Sequence, residues 1–243
     1  MALLGRTRAK LRALADAFAA KGLADTLVCA ADVLDRRALE RARAAICRKW
    51  GRIDFLVNGA GGNSPKGTSA LEQLAPGDDP RQGFFGLDMS GFEQVARLNL
   101  VGTALPCQVF GGELVRTGGA ILNFSSMAAF QPLTKVGAYG AAKAAATNFT
   151  AWLAVHLAPS GVRVNALAPG FFITEQNRFL MLERDGETPT ARGRKVLAKT
   201  PMRRFGAPED LCAAARFLLS DGAAFVTGVT LPVDGGFLAH SGV

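Results

Sequence analysis

Short apolar runs alternate along this chain with stretches whose apolar residues recur every three or four positions. The runs lie at Leu3-Leu4, Leu27-Val28-Cys29-Ala30, 53–58, Ala120–Phe124, 162–167 and 226–233, and each predicts a strand. Thr7 opens a helix that carries Leu11, Leu14 and Phe18 on one face. Asp35 opens a second helix, reaching about Trp50, with Arg36, Arg37, Glu40, Arg41 and Arg43 on its solvated face. Ser90 and Glu93 form a capping box for a helix through about Val115, which Gly118-Gly119 breaks. A long helix is predicted over about 137–157, and Pro208 with Glu209 and Asp210 starts another that ends near Gly222. Largely apolar strands separated by helices imply a parallel sheet covered on both faces, a three-layer, doubly wound α/β fold. Two stretches interrupt the alternation: 62–87, rich in Gly, Pro, Ser and Asp, and 171–204, polar and basic. Long loops at the carboxyl ends of strands are where open α/β sheets hold ligands. Both are therefore expected on the substrate side, with 171–204 an insertion within one domain spanning 1–243.

Composition narrows the class. Of 243 residues, 49% are apolar and 20% charged, enough for a sizeable core and unlike a disordered chain. A net charge of +8 suits an anionic partner but does not choose among a nucleotide cofactor, an acidic metabolite and nucleic acid. The arginines are spread over helices rather than clustered with aromatics, so nucleic acid is the weakest of the three. No apolar run approaches the ~18 residues of a membrane span. The start, Met1-Ala2-Leu3-Leu4-Gly5-Arg6, has no secretory pattern. Cys29, Cys47, Cys107 and Cys212 are scattered without a CxxC, and the histidines are His156 and His240, so neither a zinc site nor a disulfide framework is expected. These features predict a cytoplasmic, reduced protein.

Four residues carry candidate chemistry. Tyr139 and Lys143 stand at i and i+4 and share a helix face, where an ammonium favours the phenolate and lowers the tyrosine pKa. Alone, such a pair is also an ordinary surface motif. Ser126 lies just past an apolar strand, where its side chain can meet the start of that helix. Asn99 falls on the stripe Phe92, Val95, Ala96, Asn99, Thr103, and its plain reading is a core amide with its partners satisfied.

Taken in order, the motifs resemble the classical short-chain dehydrogenase/reductase family along the whole chain. They are Asp54-Phe-Leu-Val-Asn-Gly-Ala-Gly61, Asn99, Ser125-Ser126, Tyr139-Gly-Ala-Ala-Lys143, Arg163-Val-Asn-Ala-Leu-Ala-Pro-Gly170 and Val233-Asp-Gly-Gly236. The resemblance implies a Rossmann-like fold and hydride transfer between an NAD(P) nicotinamide and a carbonyl or alcohol. It makes Tyr139 the proton donor and acceptor, with Lys143 lowering its pKa and binding the nicotinamide ribose. It gives Ser126 the substrate oxygen, and Asn99 a water linking Lys143 to solvent. Asp32 and Val33 fall at the adenine, and Asn58, Gly59, Ala60 and Gly61 form the turn beside the cofactor. Pro169, Gly170, Ile173 and Thr174 fall at the nicotinamide end. The family usually has a second asparagine where Gly59 stands, and Asn58 could equally serve sheet-end hydrogen bonding. A homo-tetramer or dimer is implied, built on the helices flanking the serine strand and on the last strand.

The departure is at the start. Family members open with a strand, a glycine-rich TGxxxGxG turn and a helix, roughly 30 residues in all, which this sequence does not show. The sheet is therefore expected to lack its first strand and first helix. In the order 3-2-1-4-5-6-7 that strand is central. Its loss leaves the second and third strands without a paired neighbour on that side, across a gap about twice the ~4.8 Å strand spacing. It also removes the helix N-terminus that binds a pyrophosphate. Two accounts stay open: a fragment or misassigned start, or a catalytically silent chain acting as a binding or assembly subunit. The intact remainder of the site favours the first.

Within the family the chain is most similar to the D-mannonate oxidoreductase (fructuronate reductase) branch. The likeness rests on Asn58-Gly-Ala-Gly-Gly-Asn63, Gln131-Pro-Leu-Thr-Lys135, Pro169-Gly-Phe-Phe-Ile-Thr-Glu-Gln-Asn-Arg178 and Thr200-Pro-Met-Arg-Arg-Phe-Gly206. That branch implies interconversion of D-fructuronate and D-mannonate, typically with NAD, whereas Arg6 at a strand end leans toward NADP. The cofactor is thus NAD(P), with the choice open. A sugar acid needs a cation for its carboxylate and amides or hydroxyls for its alcohols, so Asn63, Lys135, Gln176, Asn177 and Arg178 join Ser126 as candidate substrate ligands. Another polyol or a 3-oxoacyl compound is the alternative substrate class.

Overall fold

A computed structural model describes residues 1–175 and 177–241. β1 (Ala2–Gly5) and β2 (Leu27–Ala30) pair in parallel. β3 (Phe55–Asn58), β4 (Ala120–Phe124), β5 (Arg163–Pro169) and β6 (Thr230–Val233) form a parallel sheet in that order. Parallel neighbours need crossover connections, and these are supplied by α1 (Arg8–Ala19), α2 (Arg36–Trp50), α3 (Met89–Ala96) with α4 (Gly102–Thr117), α5 (Gly137–Leu157) and α8 (Pro208–Leu219). Between β5 and α8 come the shorter α6 (Arg178–Met181) and α7 (Ala191–Lys199). This is the Rossmann-like α/β arrangement that the sequence predicts.

One face of the sheet is closed by α2, α4 and α5, where Leu39, Ile46, Phe110, Leu114, Ile121, Leu153 and Val164 form the main core. Leu4, Leu27 and Leu56 pack into it from three strands, so both sheets share this core. On the other face Leu218 of α8 packs with Leu122 and Leu167, while α1 covers only β1 and β2 and buries none of its residues. Strand side chains alternate between faces. Leu56 and Asn58 therefore point into the main core, whereas Phe55 and Val57 stay 56% and 52% exposed on the other face, beside the part that α8 covers. The expected break in the sheet is present: among the described residues β1 and β3 are not hydrogen-bonded to each other or bridged by a strand.

Several boundaries differ from the sequence reading. The cap of α3 is Asp88, which accepts from the Ser90 N–H; Ser90 itself is inside the helix. The helix predicted through Val115 is broken by a π turn over Arg97–Val101. Thr7 sits at the start of α1 but makes no side-chain cap. Residues 226–229 bend rather than extend, because Gly228 at φ 80° and Thr227 both bond the backbone of Val164. Within 171–204, read as loop, Thr190 caps α7 through the Gly193 N–H, and Met181 and Val196 are buried together with Gly193. One apolar pair among basic residues was too little periodicity to reveal that helix.

Candidate active site

All strands are parallel, so their carboxyl ends lie along one edge, and the candidate residues gather there. A buried polar chain fixes the parts relative to one another. The Asn58 amide donates to Asn123 Oδ1 (2.9 Å) and to Cys107 Sγ (3.1 Å). Asn123 donates to the Thr150 hydroxyl at 2.9 Å, which donates to the Ala146 carbonyl at 2.8 Å. Ser125, beyond the end of β4, bonds the Thr147 hydroxyl and reaches the Lys143 carbonyl. Lys143, Thr147 and Thr150 are spaced to share one face of α5. That face is keyed to β4 by matched donors and acceptors, which costs little because every member is satisfied. The rotation of α5 is thereby set, and with it the positions of Tyr139 and Lys143. The Asn58 side chain thus makes sheet-end hydrogen bonds, one of its two expected roles.

Lys143 is 3% exposed, and its Nζ donates to the Phe124 carbonyl at 2.7 Å. Burial of the ammonium pushes its pKa down to about 8. Nζ lies over the Tyr139 ring, 5.7 Å from its centroid. The Ser126 hydroxyl accepts from the Ala128 N–H at 3.2 Å and is near enough to Tyr139 to pull the phenol's pKa down. The sequence reading had Lys143 lower the tyrosine pKa. In this structure the phenol moves the other way: burial raises it, and only the nearby Ser126 hydroxyl opposes the rise. The reason is geometric, since the ammonium faces the ring rather than the hydroxyl and is bonded to Phe124.

Asn99 is fully buried within the π turn. Its amide donates to the carbonyls of Gly62 (2.7 Å) and Val95 (2.8 Å), and its oxygen accepts from the Gly62 N–H (3.1 Å). It therefore clamps the turn after β3 in both directions. A β-carbon on Gly61 would come within 2.7 Å of Asn99 Oδ1 and 3.1 Å of Lys143 Nζ, so glycine keeps the lysine approachable from this side. Gly59 has open space at the same point. Ala60 belongs to this turn; Arg6 is exposed after β1, and Asp32, after β2, accepts from the Leu34 N–H. Val33 packs on Gly102. At the end of β5, next to Pro169, Gly170 donates to the Val233 carbonyl, and a β-carbon on it would strike Asp234. Ile173 is half-buried nearby, and the Thr174 N–H donates to Asn177. A turn of small residues beside a buried lysine at the strand ends fits the flat, reactive end of a nucleotide.

The candidate substrate ligands divide. Lys135 stands four residues before Tyr139 at φ 71°, with its carbonyl accepting from Ser69. The Asn63 amide donates to Thr68. Asn177 spends both ends of its amide, on Thr174 and Phe172, and Arg178 donates to the Gly186 carbonyl. The last two hold their own loop together. Gln176 lies outside the described residues. Sequence reasoning missed Thr147 and Thr150, although their spacing of four and seven from Lys143 was visible, and it missed Arg192 of α7.

Residues 1–238 match a family model described as enoyl-(acyl carrier protein) reductase. The chain is 49% identical over 245 residues to the uncharacterized oxidoreductase UxuB of Bacillus subtilis (strain 168), covering 100% of this chain and 87% of that protein. It superposes with a TM-score of 0.93 and 44% identity on a crystal structure from Haemophilus influenzae described as "a putative D-mannonate oxidoreductase", with bound NAD, covering 100% of this chain and 87% of the other. A gluconate 5-dehydrogenase from Burkholderia cenocepacia J2315, in complex with NADP and tartrate, superposes at 0.81 with 29% identity, over 98% and 85% of the two chains.

Proposed function

The chain belongs to the short-chain dehydrogenase/reductase family, whose members are NAD(P)-dependent oxidoreductases, and from that premise we propose that it interconverts a sugar-acid ketone and alcohol, D-fructuronate and D-mannonate. The observation that carries the chemistry is the meeting of Tyr139, Ser126 and Lys143 beside the glycine turn at Gly61. The likeness to the Haemophilus structure supports the substrate. Asn58–Gly61, Lys143 and Pro169–Thr174 would hold the nicotinamide half of NAD(P), and Arg6, Asp32 and Val33 the adenine half. When bound, the nicotinamide supplies or accepts the hydride at the substrate carbon.

The chain's own residues handle the oxygen. The Ser126 and Tyr139 hydroxyls converge where charge develops on it, which is where a fixed donor acts most strongly. Tyr139 gives its proton to that oxygen during reduction and recovers it during oxidation. A phenol with a raised pKa stays protonated through neutral pH and is ready to donate. Lys143, charged below about pH 8 and held by the Phe124 carbonyl, would bind the nicotinamide ribose. Asn99 holds the cradle turn in place. Incubating the chain with D-mannonate and NAD or NADP should give reduced nicotinamide at 340 nm. No absorbance change with either cofactor, in either direction, overturns the assignment.

The same reading makes the protein cytoplasmic, with 171–204 as the substrate-side insertion of a single domain. Among the described residues no helix is long and apolar enough to cross a membrane. We also infer self-association through α4 and α5. Their outer face holds a groove of about 660 Å³ lined by Leu105, Val115, Phe149 and Trp152, with Trp152 57% and Val155 77% exposed. An apolar face of this kind is self-complementary across a two-fold axis. Trp152→Glu is expected to convert the oligomer to monomers in sedimentation velocity; a sedimentation coefficient unchanged from wild type rejects this face.

A further inference from the structure

Lys195, Lys135 and Arg192 all act on one carboxylate, Glu72. Lys195 of α7 donates to Glu72 at 3.2 Å and ties the 62–87 loop to α7. Lys135 and Arg192 are close enough to the same carboxylate to help hold it ionised, after the dominant contribution of Lys195. The Ser69 N–H donates to the Lys135 carbonyl at 3.0 Å, so the strand of loop leading to Glu72 runs across the start of α5. Tyr139 stands in the first turn of that helix. The loop therefore borders the start of the helix that carries Tyr139. Glu72 with its three cations leaves two positive charges in excess.

Two further observations mark these cations. Arg192 Nε is buried without a hydrogen-bond partner. A buried donor left unpaired is costly and is rarely kept without a reason. Lys135 is one of two non-glycine residues at positive φ among the described residues, at 71°. The other, Arg203 at 54°, bonds the carbonyls of Leu197 and Ala198 at the end of α7. Backbone strain of this sort persists where the surrounding structure enforces it, often at binding sites.

We propose that Arg192 and Lys135 together form the seat for the carboxylate of an acidic substrate, with Glu72 and Lys195 bracing the two loops that carry them. This rests on the sugar-acid reading above and names the residues that confer it. Arg192 turns its guanidinium from its unpaired position to form two parallel N–H bonds to the carboxylate, and Lys135 adds a point charge from the opposite loop. The site then prefers a sugar acid to the matching neutral polyol because only the acid brings an anion to the two positive charges in excess. Arg178, the cation that sequence alone brought forward, is engaged with Gly186 instead.

The test is calorimetric titration of D-mannonate, and of D-mannitol as its uncharged counterpart, into the full chain with NAD present. Arg192→Met is expected to weaken D-mannonate binding about tenfold or more, to leave D-mannitol binding within twofold, and to recover partly as Arg192→Lys. Lys135→Gly removes the cation and relaxes the positive φ, so it should weaken D-mannonate binding without lowering Tm. A merely structural role would lower Tm and affect both ligands alike. In turnover the same variants should raise KM and leave kcat near wild type. Unchanged D-mannonate affinity in both variants, with turnover intact, overturns the seat and leaves the oxidoreductase reading standing. Binding that depends on both residues without any turnover does the reverse. Failure of the wild-type chain to bind D-mannonate overturns both.

Discussion

Tyr139→Phe is expected to lower kcat by roughly 10²–10⁴-fold, the usual size of a general acid–base contribution, while leaving Tm close to wild type. The phenol is the one group placed to hand a proton to the substrate oxygen. Ser126 stands near it and accepts from the Ala128 N–H, so it orients rather than replaces it. Lys143 is held by the Phe124 carbonyl and does not depend on the phenolic oxygen for its position. The lesion should therefore fall on kcat, with KM changed little. The wild-type pH profile follows from the raised tyrosine pKa: reduction, which needs the protonated phenol, stays level through neutral pH, and oxidation, which needs the phenolate, climbs as pH rises. A variant retaining more than a tenth of wild-type kcat would show that another group moves the proton.

Lys143→Met should separate stability from activity in the opposite sense. The ammonium releases its proton at about 8 in the folded chain against an ordinary value of 10.5. Between those values the unfolded chain binds more protons than the folded one, so this group makes stability increase with pH. Below about 8 both states are protonated and the full cost of burying the charge is present, on the order of 3 kcal/mol. The variant escapes that cost but loses the bond to Phe124, about 1 kcal/mol. Its urea midpoint at pH 7 should therefore exceed that of wild type, and the rise of stability between pH 8 and 10.5 should disappear. Turnover should fall by a factor comparable with that of the tyrosine variant. A lower midpoint at pH 7 together with a wild-type curve flat over that window would mean that the lysine is stabilising where it stands.

What could be read from sequence follows from how local each feature is. The span of α5 and the cap of α2 were legible because helical period and an Asp at the N-cap act within a few residues. The order of Asn99, Ser126, Tyr139 and Lys143 was legible because it is a pattern of residue types. The role of Asn99 was only half visible: its burial could be read from the stripe, but its grip on Gly62 joins residues 37 positions apart. The pKa of Tyr139 was misjudged because spacing reports that two groups share a face, not whether a charge meets the hydroxyl or the ring. Asn177 and Arg178 looked free because a polar loop gives no sign of which side chains it uses internally. Arg192 went unnoticed since nothing in the order of residues distinguishes it from the other basic side chains of α7.

Among the described residues the candidate side chains fall on two blocks. Arg6 and Asp32 ride on the β1–β2 pair, whereas Tyr139, Ser126 and Lys143 ride on the four-stranded sheet and α5. The two blocks adhere through side chains in a shared core, with no ladder between them among the described residues. A long ligand lying along the strand ends would touch both and act as a clasp, and each increment of its concentration above Kd would tighten the whole chain by mass action.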